Sequence, residues 1–197
     1  MEGLVVASTL APYAYAGCQT LFSRSRHISQ KQKVCIVGGR KSGKTSLSKN
    51  IEHPDYLILD LDDLSSYLSK DEVEKLESLK DTSLYRPLYY EIVKNAYNKI
   101  KDIQLKSKGK KLLCFCGDFE LARMLFKPES IYICLHSYKF LKSIIDGVND
   151  KEEKESIRRS REILLQHLHK NVPVFIFDSF DHLQKTIEKE FNIQPKI

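Results

Sequence analysis

The chain has 197 residues, 42% of them hydrophobic and 29% charged, with five cysteines and a formal charge of +6. That size fits one domain with a core large enough to need no disulfide or metal, and the balance excludes a disordered chain or a coiled coil. The positive charge is spread along the chain and selects no partner by itself, because nucleic acids and phosphorylated small molecules both favour a basic site.

Residues 1–30 form a segment with its own composition. It holds a single acid, Glu2, two arginines, Arg24 and Arg26, and an apolar start at Gly3–Ala7. Pro12 interrupts it too early for a membrane span, and Glu2 stands where a secretory leader needs a basic residue. We expect a tail at 1–30 ahead of a domain at 31–197. Two roles suit it: docking on a protein partner through Tyr13, Tyr15, Leu21 and Phe22, or organellar targeting. Cys35, Cys114, Cys116 and Cys134 sit in apolar runs, and Cys18 in the tail. The close group Cys114-Phe115-Cys116 alternates its side-chain directions residue by residue along a strand and lacks a second pair for zinc. The cysteines therefore read as small core hydrophobes in a reducing compartment, the cytoplasm being the default.

From Lys33 onward apolar runs alternate with helical patterns, as in an α/β domain with a parallel sheet. The first strand is Val34–Val37, followed by a glycine-rich loop and a helix over Lys44–Ile51. The second strand, Tyr56–Leu59, ends in the acidic group Asp60-Leu61-Asp62-Asp63, where Asp63 or Ser65 is also a candidate helix cap. Ser69 and Glu72 read as a capping box before Val73, Leu76 and Leu79. A long helix spans Pro87 to Leu105 with Ile92, Ala96, Ile100 and Ile103 on one face. The basic stretch Lys106–Lys111 leads into the third strand, Leu112–Cys116, which ends at Gly117-Asp118. Glu120–Phe126 is a short helix, Ile131–Leu135 the fourth strand and Tyr138–Ile145 the next helix. A charged helix from Lys151 to His169, the fifth strand Pro173–Phe177 and a last helix, Asp181–Phe191, complete the chain.

The chemistry is concentrated at Gly38-Gly39-Arg40-Lys41-Ser42-Gly43-Lys44-Thr45, which matches the eight-residue Walker A pattern at every position. Between a strand and a helix, such a loop turns backbone N–H groups toward phosphate oxygens, and the helix N-terminus adds further donors. Gly38 and Gly43 are expected to supply the curl. Lys44 neutralises the terminal phosphates, Thr45 offers a hydroxyl to Mg2+, and Gly38 to Ser46 together form the expected nucleotide cradle.

The order of elements and these motifs resembles the small-molecule and nucleoside monophosphate kinase branch of P-loop proteins over about residues 33–191. Shikimate and gluconate kinase-like enzymes are nearest in layout. The resemblance implies a three-layer α/β/α sandwich with a five-stranded parallel sheet of order 2-3-1-4-5. It further implies an acceptor-binding helical insert at about 64–108 and a lid at about 146–162. The cofactors implied are ATP and Mg2+, with a small hydroxyl or phosphate compound as acceptor. Asp60-Leu61-Asp62 matches the Asp-x-Asp of those kinases, which implies that Asp60 helps hold magnesium and Asp62 receives or orients the acceptor hydroxyl. Asp118 stands where Walker B acids contact magnesium. Arg158 and Arg161 in the lid, with Arg159 between them, match arginines that stabilise the transferred phosphoryl group. Arg86 is a candidate for an acidic acceptor. The glycine triplet and Arg-Pro signature of shikimate kinases and the acidic-Arg-Tyr signature of thymidylate kinases are missing, so no acceptor is named.

Three functions fit these residues. The leading one is an ATP-dependent phosphotransferase; a polynucleotide 5′-kinase draws on the basic stretch Lys106–Lys111, and a non-catalytic assembly module draws on the tyrosine-rich tail. The blander reading of Lys106–Lys111 is a solvated loop, and it is preferred.

Overall fold

The computed structural model describes residues 33–63, 68–108, 111–168, 172–192 and 194–195, with the side chains of Glu52, 103–108 and 194–195 left aside. The expectations for the tail, for Cys18 and Ser65, and for Gly109 and Lys110 fall outside that description, whereas Lys106–Lys108, expected as loop, continue the long helix before them.

Five strands make one parallel sheet: β1 (Lys33–Gly38), β2 (Tyr56–Asp60), β3 (Lys111–Cys116), β4 (Ile131–His136) and β5 (Val174–Phe177). Their order is β2-β3-β1-β4-β5, and every neighbouring pair is parallel. This is the 2-3-1-4-5 sheet of P-loop proteins. The strands are continuous apolar runs because both faces of the sheet are covered. Seven α-helices lie among the described residues: α1 (Lys44–Asn50), α2 (Lys70–Leu79), α3 (Tyr85–Lys108), α4 (Phe119–Leu125), α5 (Tyr138–Asp146), α6 (Lys151–Leu165) and α7 (Phe180–Phe191). None of them is long and apolar enough to cross a membrane.

The two-residue period of a strand divides the core in two. Cys35, Val37, Cys114, Cys116, Ile131 and Ile133 face the helices α3 and α4 through Val93, Ala96, Tyr97, Leu121 and Ala122. Val34, Ile36, Leu113, Phe115, Tyr132 and Phe177 face α1 and α7 through Leu47, Leu183, Ile187 and Phe191. The four described cysteines are buried with free thiols: Cys35, Cys114 and Cys116 on the α3 face of the sheet and Cys134 on its reverse. Burial raises the pKa of Cys35, Cys114 and Cys134, so these thiols stay protonated.

Helix starts follow local chemistry. Ser69 and Glu72 form the expected capping box on α2, and Ser137, Asp150 and Ser179 cap α5, α6 and α7. Such a cap is worth about 1 kcal/mol. The long insert helix begins two residues earlier than expected, at Tyr85, with Pro87 still inside its first turn, where a missing N–H costs nothing. The charged helix α6 ends at Leu165, short of the expected His169.

Because all five strands run the same way, their C-terminal ends share one edge of the sheet. β1 lies between β3 and β4, and at that switch point the connections diverge to opposite sides and leave a crevice. The loop Gly38–Gly43 opens there.

Candidate functional site

The loop curls through two left-handed residues. Gly43 has φ 83° and ψ 7°, and Lys41 has φ 58°. Alternation of right- and left-handed residues makes the concave nest of N–H groups that suits an anion. The expectation that Gly38 shares in the curl is corrected, since among the described residues only Gly43 is a glycine with positive φ. Gly38 is required for room: a Cβ there would lie 2.5 Å from Ser42 Oγ. Lys41 takes the strained role, at a cost of about 1–2 kcal/mol for a residue with a side chain. Ser42 is buried, and its hydroxyl has no hydrogen-bond partner among the described residues.

The acids at the end of β2 and in the turn after it reach the first two residues of α1. Asp60 Oδ2 accepts a hydrogen bond from Thr45 Oγ1 at 2.8 Å. Asp62 Oδ2 lies 3.5 Å from Lys44 Nζ, which also donates to the Gly39 carbonyl at 3.2 Å. Strand periodicity does not bring the two carboxylates together. Asp60 ends β2, whereas Asp62 lies in a single 3-10 turn, Leu61–Asp63. Asp60 Oδ1 holds that turn by accepting the Asp62 N–H at 3.0 Å. Partial burial raises the carboxyl pKa of Asp62 above its ordinary value. Lys44 and the Gly117 N–H oppose this, and Asp60 reinforces it.

Asp118 is committed elsewhere. Its Oδ1 caps α4, accepting from Glu120 N at 2.8 Å and Leu121 N at 3.1 Å. Its Oδ2 accepts from Arg86 Nη2 at 3.0 Å and from the Tyr90 hydroxyl. Arg86 Nε donates to Tyr90 at 2.7 Å, so the arginine is oriented by both partners. Together with Ser83, Pro87, Tyr90 and Met124 it lines an open groove of about 550 Å³. Tyr89, stacked on Tyr85 at 6.0 Å, lies beside this group. Its hydroxyl pKa is raised by burial and then by the charges of Asp62 and Asp118.

The three lid arginines separate. Arg158 is exposed and paired with Glu155 at 3.6 Å on its own helix, and Arg159 is exposed as well. Arg161 is half-buried, and its Nε has no hydrogen-bond partner among the described residues. Burial lowers its pKa, and its charge, like that of Lys44, is felt at His136. Arg161 therefore belongs to the loop side of α6. The same helix grips the loop from outside. Ser160 Oγ accepts from Arg40 N at 3.0 Å, Ser156 Oγ from Arg40 Nη1 at 2.7 Å, and Glu153 pairs with Lys41 at 3.0 Å.

Sequence reasoning missed His136, Gly117, Tyr89, Ser156, Ser160 and Phe180. Phe180 is 47% exposed at the start of α7, and a Cβ on Gly43 would lie 2.9 Å from its ring. Only His136 and Phe180 left a signal, as an imidazole that ends β4 and an aromatic that opens the helix after β5, on the side where α/β sites gather. The others depend on contacts between distant segments.

The sequence matches no protein-family model and no curated protein sequence. Solved structures do resemble the fold. TT1252 from Thermus thermophilus superposes with a TM-score of 0.55 at 14% identity, over 80% of this chain and 96% of that one. Thymidylate kinase from Candida albicans gives 0.48 at 11% identity, over 85% and 98%. Shikimate kinase from Acinetobacter baumannii gives 0.44 at 11% identity, over 83% and 95%. At these identities the likeness is one of fold.

Proposed function

We propose that the protein is an ATP-dependent phosphotransferase that moves the γ-phosphoryl group to a small hydroxyl or phosphate acceptor. One observation carries this reading: the acid that ends β2 and the acid of the turn after it meet two consecutive residues of the Walker A string, Asp60 at Thr45 and Asp62 at Lys44. These contacts support a site in which an anion cradle, a cation and a carboxylate base work together.

The nucleotide phosphates lie in the nest of Gly38–Ser46, with Lys44 opposite the terminal phosphates. The hydroxyl of Thr45 and the carboxylate of Asp60 are hard oxygen donors that suit Mg2+, which keeps most of its remaining ligands as water and phosphate oxygen. Bound there, Mg2+ would neutralise charge between the phosphates. Asp118, with its oxygens taken by α4, Arg86 and Tyr90, serves instead to position Arg86.

Asp62 accepts the proton of the acceptor hydroxyl as its oxygen bonds to the γ-phosphorus and the bond to the ADP oxygen breaks. Its raised pKa suits a base. Arg161, with an unpartnered Nε, spreads charge over the moving phosphoryl group. Arg86 faces the groove and favours an acidic acceptor. Phe180 supplies a flat apolar face beside Gly43 for the base of the nucleotide.

The test is Mg–ATP binding and γ-phosphate loss by the full chain, beside Lys44→Ala, with nucleoside monophosphates, small hydroxy acids and 5′-hydroxyl oligonucleotides as acceptors. Acceptor-stimulated turnover that disappears in the variant is expected. Binding without turnover for every acceptor would make the protein a nucleotide-binding module, and oligonucleotide-stimulated, salt-sensitive turnover would make it a polynucleotide kinase.

A further inference from the structure

A residue with a Cβ leaves the left-handed region unless its surroundings hold it there. Lys41, at φ 58°, is such a residue in the middle of the phosphate loop. Its side chain is tied to Glu153, but that ion pair is exposed and does not fix a backbone angle. Its carbonyl oxygen lies 3.0 Å from Nε2 of His136, the last residue of β4. A carbonyl only accepts, so Nε2 carries the hydrogen.

The donor is rigid. β4 pairs with β1 up to Gly38 and Cys134, so the strand end runs alongside the loop that leaves β1. The His136 ring is 3% exposed, 4.9 Å from the ring of Phe177 and 5.8 Å from that of Phe140. Burial, reinforced by Arg161 and Lys44 and opposed by the Lys41 carbonyl, lowers its pKa and keeps the imidazole neutral. A neutral ring has one N–H, and here it is spent on the loop.

We propose that His136 is a positioning residue for phosphate binding: its Nε2–H holds the Lys41 carbonyl, keeps Lys41 left-handed and so maintains the anion nest between Lys41 and Lys44. The inference deepens the nucleotide-binding reading above and depends on it only for its ligand. A core histidine that merely packed against Phe177 and Phe140 would be replaced by any ring of similar size. A positioning histidine is replaced only by a side chain that puts an N–H where Nε2 stands.

Three full-length variants separate these roles. His136→Phe keeps the aromatic packing and loses the donor. His136→Gln carries an amide nitrogen at the reach of Nε2, and His136→Asn has the same chemistry one bond too short. Backbone amide exchange across residues 39–43 is read without ligand, and Mg–ATP affinity is read by titration. His136→Phe and His136→Asn are expected to exchange faster in the loop, with exchange in β3 unchanged, and to weaken Mg–ATP by about tenfold, as loss of one well-aligned hydrogen bond would. His136→Gln should stay within about threefold of the native protein.

Native-like exchange and affinity in His136→Phe, or equal impairment of the Gln and Asn variants, would overturn the proposal. If His136→Phe fails to fold, the Gln and Asn pair decides. If the native protein takes up no Mg–ATP, the nucleotide reading fails, and loop exchange still decides the role of His136.

Discussion

Asp62 Oδ1 accepts the backbone N–H of Gly117 at 2.8 Å, although 55 positions separate the two residues. The bond closes the gap between the ends of β2 and β3, which are paired neighbours in the sheet. It leaves Oδ2 of the same carboxylate facing Lys44. The aim of Asp62 is thus set by backbone at the end of β3.

A methyl group on Gly117 would stand 2.8 Å from Asp62 Oδ2 and push the carboxylate off its place. Gly117→Ala is expected to lower acceptor-stimulated turnover by about 10–100-fold, the scale for a displaced reacting group. Mg–ATP affinity should change little, because the loop itself is untouched. Steady-state kinetics beside an ATP titration decides it. Unchanged turnover would remove Asp62 from the reaction.

Asp62→Asn should reduce turnover by about 10²–10⁴-fold, as loss of a general base does, while nucleotide binding persists. With its carboxyl pKa raised by burial, the proposed phosphotransfer should fall off on the acid side at a pH above the ordinary aspartate range. The stability effect has the opposite sense. An acid with a raised folded pKa binds its proton more tightly folded than unfolded, so ionised Asp62 is a burden at neutral pH that is relieved as pH falls through the raised pKa. Asp62→Asn should therefore leave the melting temperature at pH 7 unchanged or higher. A clear fall would make Asp62 a structural anchor.

Arg161 and Arg158 are one helical turn apart and should behave differently. Arg161→Met is expected to lower turnover by about 10²–10³-fold with the fold intact, through loss of charge stabilisation. Arg158→Ala removes only an exposed pair with Glu155, worth about 0–1 kcal/mol, and should leave turnover within about twofold. Parallel rate measurements on the two variants test this, and equal losses would show that both arginines reach the phosphates.

Asp118 carries stability instead. Its own burial raises the carboxyl pKa, but the Tyr90 hydroxyl, the Leu121 N–H and Arg86 outweigh it and leave the net value below the usual range. A depressed acid stabilises the fold above its unfolded pKa, and that contribution is lost as pH falls through the folded one. Asp118→Asn should cost about 1–3 kcal/mol at pH 7, with the gap to the native protein narrowing in acid. Denaturant melts at neutral and acid pH give the comparison. Arg86→Gln should raise the KM for an acidic acceptor and spare Mg–ATP affinity.

Much of the architecture was legible in the sequence because it is written locally. The apolar runs of the five strands, the capping box of Ser69 and Glu72 and the full Walker A string are each spelled out by residues close together in the chain. Strand order followed from the family likeness, and the sheet has that order. Element ends moved by one to four residues, since fraying and caps are decided by single contacts. The pairing of Asp60 and Asp62 was legible as a motif, but its reason was not: a 3-10 turn, and not strand periodicity, gathers the carboxylates.

The class of fold, the Walker A string and the neighbouring acidic motif could be read from residues close together in the chain, because backbone preferences and side-chain periodicity act over short distances. Which groups the loop answers to depends on the packing of distant segments. It turned Arg161 inward and left Arg158 on the surface, gave both oxygens of Asp118 to α4, Arg86 and Tyr90, and placed His136 against a left-handed Lys41. These choices depend on how helices seat on the sheet and on burial, which shifts charge and hydrogen-bond preferences through space.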